Sequence, residues 1–520
     1  MTSPTSFAGY PEALLAVLAR DPSRTVLTTG DGGAETTAGA LHDTVHRMAA
    51  VLTGRGIGRG RTVGLLSRNR PEVLAARYAA NLAGARVVFL YDGMAAATLA
   101  RIAASVETAL LLVDPALHDT ARALLHHLGG AAPDVMTLGP EPAAGDLGPD
   151  LLAACAALPA TPEVPGAARP GDDWCIRHTG GTTGIPKGVR MAHAPYTDML
   201  LNQRMEAAGD PPRFLACTPL AHLAGVLTDA TLAAGGSVVL HRAFDPAAVL
   251  AAVARDRVTH LWLLPPLLYR LLDDPALPAT DLSSLTRITY GGCPASPSRL
   301  LRAAEVFGPV LYGMYGMSEA MTVTEARPED HRPTGPGGRI TVGRALPGVT
   351  LAIRDADGRD LPAGERGEVH VRSAGVMAGY WKQPELTARA LPGDGWLRTG
   401  DVGTLDDDGR LYLVDRVKDV IIVVGGHVHP AEVEDLLHTH PAVAHCAVFG
   451  VRGPDETEEV HAAVVPAPGH RADPAALRAF VTARLGALYA PAAVRLVDAI
   501  PLTPVGKPDK ARLRARADRA

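Results

Sequence analysis

The chain has 520 residues, with 54 Gly, 43 Pro and a formal net charge of -5. That length exceeds what one core needs, so two or more domains are expected without disulfides or a structural metal. With 47% hydrophobic residues and no long basic run, wholesale disorder and nucleic-acid binding are both excluded as readings.

The N-terminal text lacks a basic segment and carries Glu12 where a signal peptide needs an apolar run. No apolar stretch approaches the roughly 18 residues of a membrane span. Cys155, Cys175, Cys217, Cys293 and Cys446 are widely spaced and odd in number. A soluble protein of the reducing cytoplasm is therefore expected.

From Thr25 the text predicts a strand (TVLTT), then a helix with Leu41, Val45, Met48 and Leu52 on one face, ending at Gly54 and Gly56. Thr62 to Ser67 reads as a buried strand, Pro71 opens a second helix, and ARVVFLY supplies the next strand. Such alternation predicts parallel strands covered by helices, an α/β fold. Residues Ala131 to Asp173 read as a surface connection. Turn clusters between short strands such as EVHVRS and RLYLVD predict a β-rich region before Asp415. Beyond it, VIIVV, a helix in PAEVEDLLHTH, CAVFGV, HAAVVPA, a helix from Pro474 to Leu488, and VRLVDAI predict a compact α+β module. The tail KARLRARADRA reads as an exposed helix.

The strongest local signal is RHTGGTTGIPKGV, Arg177 to Val189. Glycines, threonines and a lysine after a strand suit a loop whose N–H groups and hydroxyls wrap phosphate oxygens. It fits neither a Walker A loop nor GxGxxG. LYGMYGMSEAM offers a ring to stack on a base and a carboxylate, Glu319, for Mg²⁺. RTGD ends in Asp401, able to accept two ribose hydroxyls. Only five of the 50 basic residues are lysine: Lys187, Lys382, Lys418, Lys507 and Lys510. In so arginine-biased a text each lysine raises the question whether its compact ammonium is required. Three of them lie in motifs, whereas Lys382 and Lys510 read as solvated surface. The histidine pairs at His126, His427 and His438 lack a matching set of acidic or cysteine ligands for zinc.

Taken together, TGGTTGIPKG, PLAHLAG, YGGCP, YGMSE, RTGD, DRVKD and TPVGK, in that order from about Ala34 to Lys510, resemble the adenylate-forming superfamily of acyl-CoA synthetases, carrier-protein adenylation domains and luciferases. The resemblance implies a large N-terminal α/β domain with a β-rich region (1–414), a hinge (415–418) and a small mobile α+β domain (419–520). It implies ATP, Mg²⁺ and coenzyme A as cofactors, an organic acid as substrate, and no nucleic-acid or membrane partner.

Carried over by position, Thr179, Gly180, Gly181, Thr182, Thr183, Gly184 and Lys187 form the phosphate loop, Thr183 acting in catalysis. Gly292, Cys293 and Pro294 lie along adenine, Tyr315 stacks on it, and Gly316, Met317 and Ser318 meet the nucleotide. Glu319 binds Mg²⁺, and Asp401 with Arg416 holds the ribose. Lys507 reaches the carboxylate and α-phosphate. His222 gates an acyl pocket that also takes Leu223, Gly225, Gly291, Gly313 and Met314. Lys418 is the hinge, and Val424, Gly425 and Gly426 border the acceptor tunnel.

Two departures matter. Gly180 replaces a common serine, removing one hydroxyl and no backbone donor. After the hinge the text is VVGGH where thioester-forming relatives read SGGxN, so Val424 replaces a glycine and His427 an asparagine; a branched side chain there narrows the thiol's path. The expected activity is acid adenylation with pyrophosphate release, then transfer to coenzyme A. The alternatives are transfer to a carrier protein, amine or other small nucleophile, and a catalytically dead nucleotide-binding protein. Met314 before Tyr315 predicts a short pocket and a compact acid.

Overall fold

The computed structural model describes residues 7–30, 33–141, 147–179, 187–202, 211–335, 338–416, 421–423, 426–452, 458–503 and 506–517, with 202, 415, 416, 426 and 427 defined by backbone alone. Close contacts gather the chain into two units, Met1–Trp262 with Pro278–Thr286 and Gly375–Ala388, and Leu263–Leu277 with Arg287–Ala374 and Arg389–Ala520.

In the first unit the predicted alternation is realised. The helix Ala38–Gly54 is capped by Thr37, whose side chain accepts from the Ala40 N–H, and it buries Leu41, Val45, Met48 and Leu52. Pro71 opens the helix Pro71–Leu82 at its first turn, where its missing N–H costs nothing. The strands Arg86–Leu90, Thr62–Leu66 and Thr108–Val113 lie side by side and parallel. Asp173–Thr179 extends this sheet beyond Arg86–Leu90, and Lys187–Ala192 then Gly379–Tyr380 add antiparallel strands at that edge. A second set of parallel strands comprises Thr25–Thr29, Ser237–Leu240, Arg213–Ala216 and His260–Leu263. Consecutive residues along each of them are buried, as in strands covered on both faces.

One expectation needs correction here. The stretch 131–173 is more than a surface connection. Asp134–Thr137 adds a parallel edge strand along Thr108–Val113, and Leu151–Ala156 is a helix whose Asp150 side chain accepts from the Leu152 N–H. Both are too short for periodicity to register. A first helix, Tyr10–Leu18, also buries Leu14, Leu15 and Leu18.

In the second unit Arg287–Gly291 runs parallel to Leu311–Met317, which turns back on Met321–Ala326. Thr350–Arg354, Gly367–Arg372, Leu397–Leu405 and Leu411–Arg416 form an antiparallel sheet, the β-rich region expected before residue 415. The α+β segment follows: the helix Pro430–Leu437, the paired strands Val443–Arg452 and Glu458–Pro466, the helix Pro474–Leu485 and the strand Ala493–Leu496. Val433, Leu437, Val448, Val464, Leu477 and Val481 make its core, each such side chain contributing about 1.5–3 kcal/mol on burial. The helix expected to reach Leu488 stops at Leu485, because Gly486 departs from helical geometry at φ 91°. The tail helix Lys510–Ala517 is not fully exposed, since Leu513 is buried against Ala447, Phe449 and Ala463. Among the described residues no helix is long and apolar enough to cross a membrane.

Candidate active site

In the first unit the strand Asp173–Thr179 is buried up to its last residue and delivers the chain to the phosphate-loop segment. Thr179 pairs in register with Lys187 on the returning strand, so both ends of the expected loop are side by side. The Lys187 ammonium lies 5.3 Å from the ring centroid of Tyr380, a cation–π contact. Gly180, Gly181, Thr182, Thr183 and Gly184 lie outside the described residues, as do Lys418, Val424 and Gly425 and the Arg416 side chain.

His222 precedes the first residue of the helix Leu223–Ala233. Its ring lies flat on Tyr91, centroids 4.6 Å apart and planes at 4°. The loop before it is held by Asn69, which accepts from the Leu220 N–H at 2.9 Å and donates to the carbonyls of Thr218 at 2.9 Å and His241 at 3.0 Å. Gly225 is required by packing, because a Cβ there would lie 2.0 Å from the Leu220 carbonyl oxygen. One turn on, Asp229 is fully buried and accepts from Arg77 and from the hydroxyls of Tyr78 and Tyr196, each 2.5 Å away. Burial raises the Asp229 pKa, and the Arg77 charge with the two phenols opposes that rise. Such a pair is costly to break because either partner alone is an uncompensated buried charge. It anchors the helix that begins beside His222.

In the second unit Tyr315 and Asp401 meet. The Tyr315 hydroxyl donates to Asp401 Oδ2 at 2.6 Å, and both side chains are buried. The RTGD turn is pinned from behind: Thr399 Oγ1 donates to the Val369 carbonyl, the Asp401 N–H donates to Thr399 Oγ1, and the Gly400 N–H donates to Glu368. Burial alone would raise the Glu368 pKa, but hydrogen bonds from His370 and Arg398 bring it down to about 2. Arg416 sits opposite Asp401 in register.

Gly313, Met314, Gly316 and Met317 share the Tyr315 strand, Ser318 follows it, and Glu319 is buried. Gly291 pairs with Met314, and a Cβ at Gly291 would come 2.9 Å from Met314 Cγ. The methionine therefore fills the space that the glycine leaves. Gly292, at φ 84°, turns the chain into Cys293 and Pro294.

The TPVGK segment closes on itself: the Thr503 N–H donates to the Lys507 carbonyl at 2.7 Å. Loss of solvent pushes the Cys293 thiol up to about 12, while the Lys507 and Lys510 charges act in the opposite sense and Glu434 in the same. Lys510, read as solvated surface, instead pairs with Glu434 at 2.8 Å. Lys382 pairs with Glu107 and stays exposed.

Asn69, Tyr91, Glu368 and Glu434 support these motifs and were not singled out from the text. Their partners lie far away in sequence, so no local pattern marks them; only the scarcity of lysine pointed towards Lys510.

Family profiles decide what this arrangement belongs to: that of the AMP-binding enzyme matches residues 15–381 and that of the AMP-binding enzyme C-terminal domain matches 432–507. The chain belongs to the AMP-binding enzyme family. It is 38% identical to a medium/long-chain-fatty-acid–CoA ligase of Mycobacterium tuberculosis over 97% of this chain and 89% of that one. Identity to a feruloyl-CoA synthase of Amycolatopsis is 36% over 93% and 94%. Among solved structures, an amide bond synthetase from Marinactinospora thermotolerans superposes with a TM-score of 0.85 at 40% identity, covering 98% of this chain and 100% of that one. This AMP-binding enzyme is accordingly an ATP-using, AMP-forming ligase with the adenylate-forming fold.

Proposed function

We propose that this enzyme activates a carboxylic acid as its adenylate, releasing pyrophosphate, and passes the acyl group to coenzyme A with release of AMP. The observation that carries the reading is the meeting of two chemistry-bearing motifs in the second unit, the Tyr315 hydroxyl on the Asp401 carboxylate. A carboxylate is a poor electrophile until its oxygen is joined to a good leaving group. Two anions must meet, so the barrier is one of charge placement. Lys507 offsets charge where carboxylate meets α-phosphate, and Lys187 with Thr179 and residues 180–184, Thr183 among them, steadies the outgoing phosphates. Tyr315, with Gly292, Cys293, Pro294, Gly316, Met317 and Ser318 around it, holds the base; Asp401 and Arg416 hold the ribose.

Glu319 suits a divalent cation, being a buried hard-oxygen donor beside the nucleotide motif. Bound there, Mg²⁺ supplies charge neutralisation at the phosphates. Residues 1–414 form the large domain, 415–418 the hinge around Lys418, and 419–520 the mobile domain that withdraws Lys507 before the acceptor enters past Gly425 and Gly426. The resemblance makes His222, Leu223, Gly225, Gly291, Gly313 and Met314 acyl-pocket residues, and Met314, packed against Gly291, favours compact acids. The five unpaired cysteines suit the reducing cytoplasm.

Acid-dependent ATP–pyrophosphate exchange across an acid panel, repeated as AMP release with and without coenzyme A, tests both half-reactions. No exchange with any acid overturns the proposal, and palmitate outpacing benzoate-type acids overturns the pocket argument. One further reading has a specific observation behind it. The similarity to an amide bond synthetase and the valine at 424 favour an amine acceptor, for which amide formation from acid, ATP and amine is the readout.

A further inference from the structure

Lys510 is one of five lysines in the chain, and it is neither solvated nor in a sequence motif. Its ammonium lies 2.8 Å from Glu434 Oε1, with the lysine side chain 22% and the glutamate 14% exposed. Glu434 is doubly engaged, since the same Oε1 accepts the Val448 N–H at 2.8 Å. It therefore ties the helix Pro430–Leu437 to the strand behind it and to the start of the helix Lys510–Ala517. Three residues before Lys510 is Lys507, in a loop closed by its own backbone.

The same helix is held on its other side. Asp435 lies 3.6 Å from Arg339 Nη1, and Glu432 lies 4.0 Å from Arg339 Nη2 and 3.5 Å from Arg366. Arg339 is only 13% exposed, and its Nη1 also donates to the Leu413 carbonyl at 3.1 Å, which fixes it to the strand that carries Arg416. Positions 432 and 435 share a helix face that 434 does not. The helix is thus a bridge, with arginines on one face and a lysine on the other.

We propose that Arg339 and Lys510 are positioning residues for Lys507: Arg339 fixes the helix Pro430–Leu437 through Asp435 and Glu432, and Glu434 on that helix fixes Lys510 and hence Lys507. The inference rests on the adenylating role assigned to Lys507 above. Its physical content is that Lys507 reaches over four flexible methylenes, so its ammonium is aimed only as well as its backbone is held. The chain of ion pairs supplies that hold in the adenylating arrangement and has no part once Lys507 has withdrawn. The choice of lysine at 510 fits a compact charge in a half-buried pair, where a planar guanidinium presents a different fork of donors.

Lys510→Met keeps the stem and removes the charge. Misplacing a reacting group by about 1 Å costs up to roughly 10²-fold, so kcat for pyrophosphate exchange should fall between about tenfold and that limit. KM for ATP and acid should stay within about twofold, and so should consumption of presynthesised acyl-adenylate by the acceptor. Lys510→Arg should recover part of the exchange rate, and Arg339→Gln, read independently, should show the same split between half-reactions even if Lys510→Met fails to fold. A wild-type exchange rate in folded Lys510→Met or Arg339→Gln overturns the inference, as does an equal fall in both half-reactions. Failure of the unmodified enzyme to exchange at all is a different result, which strikes the assigned activity first.

Discussion

Replacing Arg77 with methionine tests whether the buried charge cluster beside the His222 helix behaves as an ion pair or as packing. The substitution keeps a long unbranched stem and deletes the cation facing Asp229, a carboxylate with no solvent exposure. Removing one partner of a buried pair costs about 3–5 kcal/mol. The two phenol hydrogen bonds at 2.5 Å remain, which places the expected loss near the lower end, about 3 kcal/mol. Burial already raises the Asp229 pKa against the Arg77 charge; without that charge it rises further. The folded variant then holds a proton that the unfolded chain has released above its ordinary carboxylate value of about 3.9. Stability therefore falls as pH rises through that interval, and the deficit relative to wild type should be smallest near pH 4–5 and largest at pH 8. Urea unfolding followed by tryptophan emission reads this locally, because Trp174 stacks on Tyr196 at 4.3 Å. Arg77→Met/Asp229→Asn should recover much of the loss, since no charge is left unpaired and the amide oxygen still accepts from the Tyr78 and Tyr196 hydroxyls. A deficit below about 1 kcal/mol, or one flat from pH 5 to 8, refutes the ion-pair account.

Lys507→Ala should lose exchange by about 10² to 10³, roughly 3–4 kcal/mol, while still consuming presynthesised adenylate; Lys418→Pro should keep exchange and lose transfer, as fixing φ restricts the hinge. Tyr315→Phe retains a stacking ring but releases Asp401; one hydrogen bond to a carboxylate contributes about 1.5–3 kcal/mol, so KM for ATP should rise about tenfold or more in exchange assays. Val424→Gly should raise coenzyme A-dependent turnover and leave exchange unchanged; undiminished thioester formation by the unmodified enzyme would remove the obstruction argument. Glu368, brought down to about 2 by His370 and Arg398, contributes stability above its ordinary value near 4.5, and this is lost as pH falls towards 2. Glu368→Gln should therefore lower the melting temperature at pH 7, with the gap to wild type closing at pH 3.

The text revealed what repeats at short range. Leu41, Val45, Met48 and Leu52 announce a helix because four positions on one face must all be buried, and the motif order announces the family because each motif keeps its own spacing. It did not reveal Asn69, whose amide holds the Leu220 N–H from 151 residues away, or Tyr91 beneath His222. Neither residue differs in type from many that do nothing of the kind. The edge strand Asp134–Thr137 went unread because four residues among Ala, Pro and Gly carry no period. The pairing of Lys510 with Glu434 was misread because a lysine near the C-terminus is usually solvated; only the rarity of lysine in this chain spoke for it.

Tyr380 and Trp381 give the first sheet a schedule. Gly379–Tyr380 is the outer neighbour of Lys187–Ala192, and the Trp381 indole N–H donates to the Ser105 carbonyl, 276 residues earlier. On the ribosome this closing strand emerges about 190 residues after the one it covers, which at about 5–20 residues per second is roughly 10–40 s. Through that interval the nascent sheet carries an open edge, the kind of template on which other chains pair. Lys187 waits as long for the ring that lies beside its ammonium. A synonymous change that slows decoding between 192 and 379 should therefore lower yield without touching the folded enzyme.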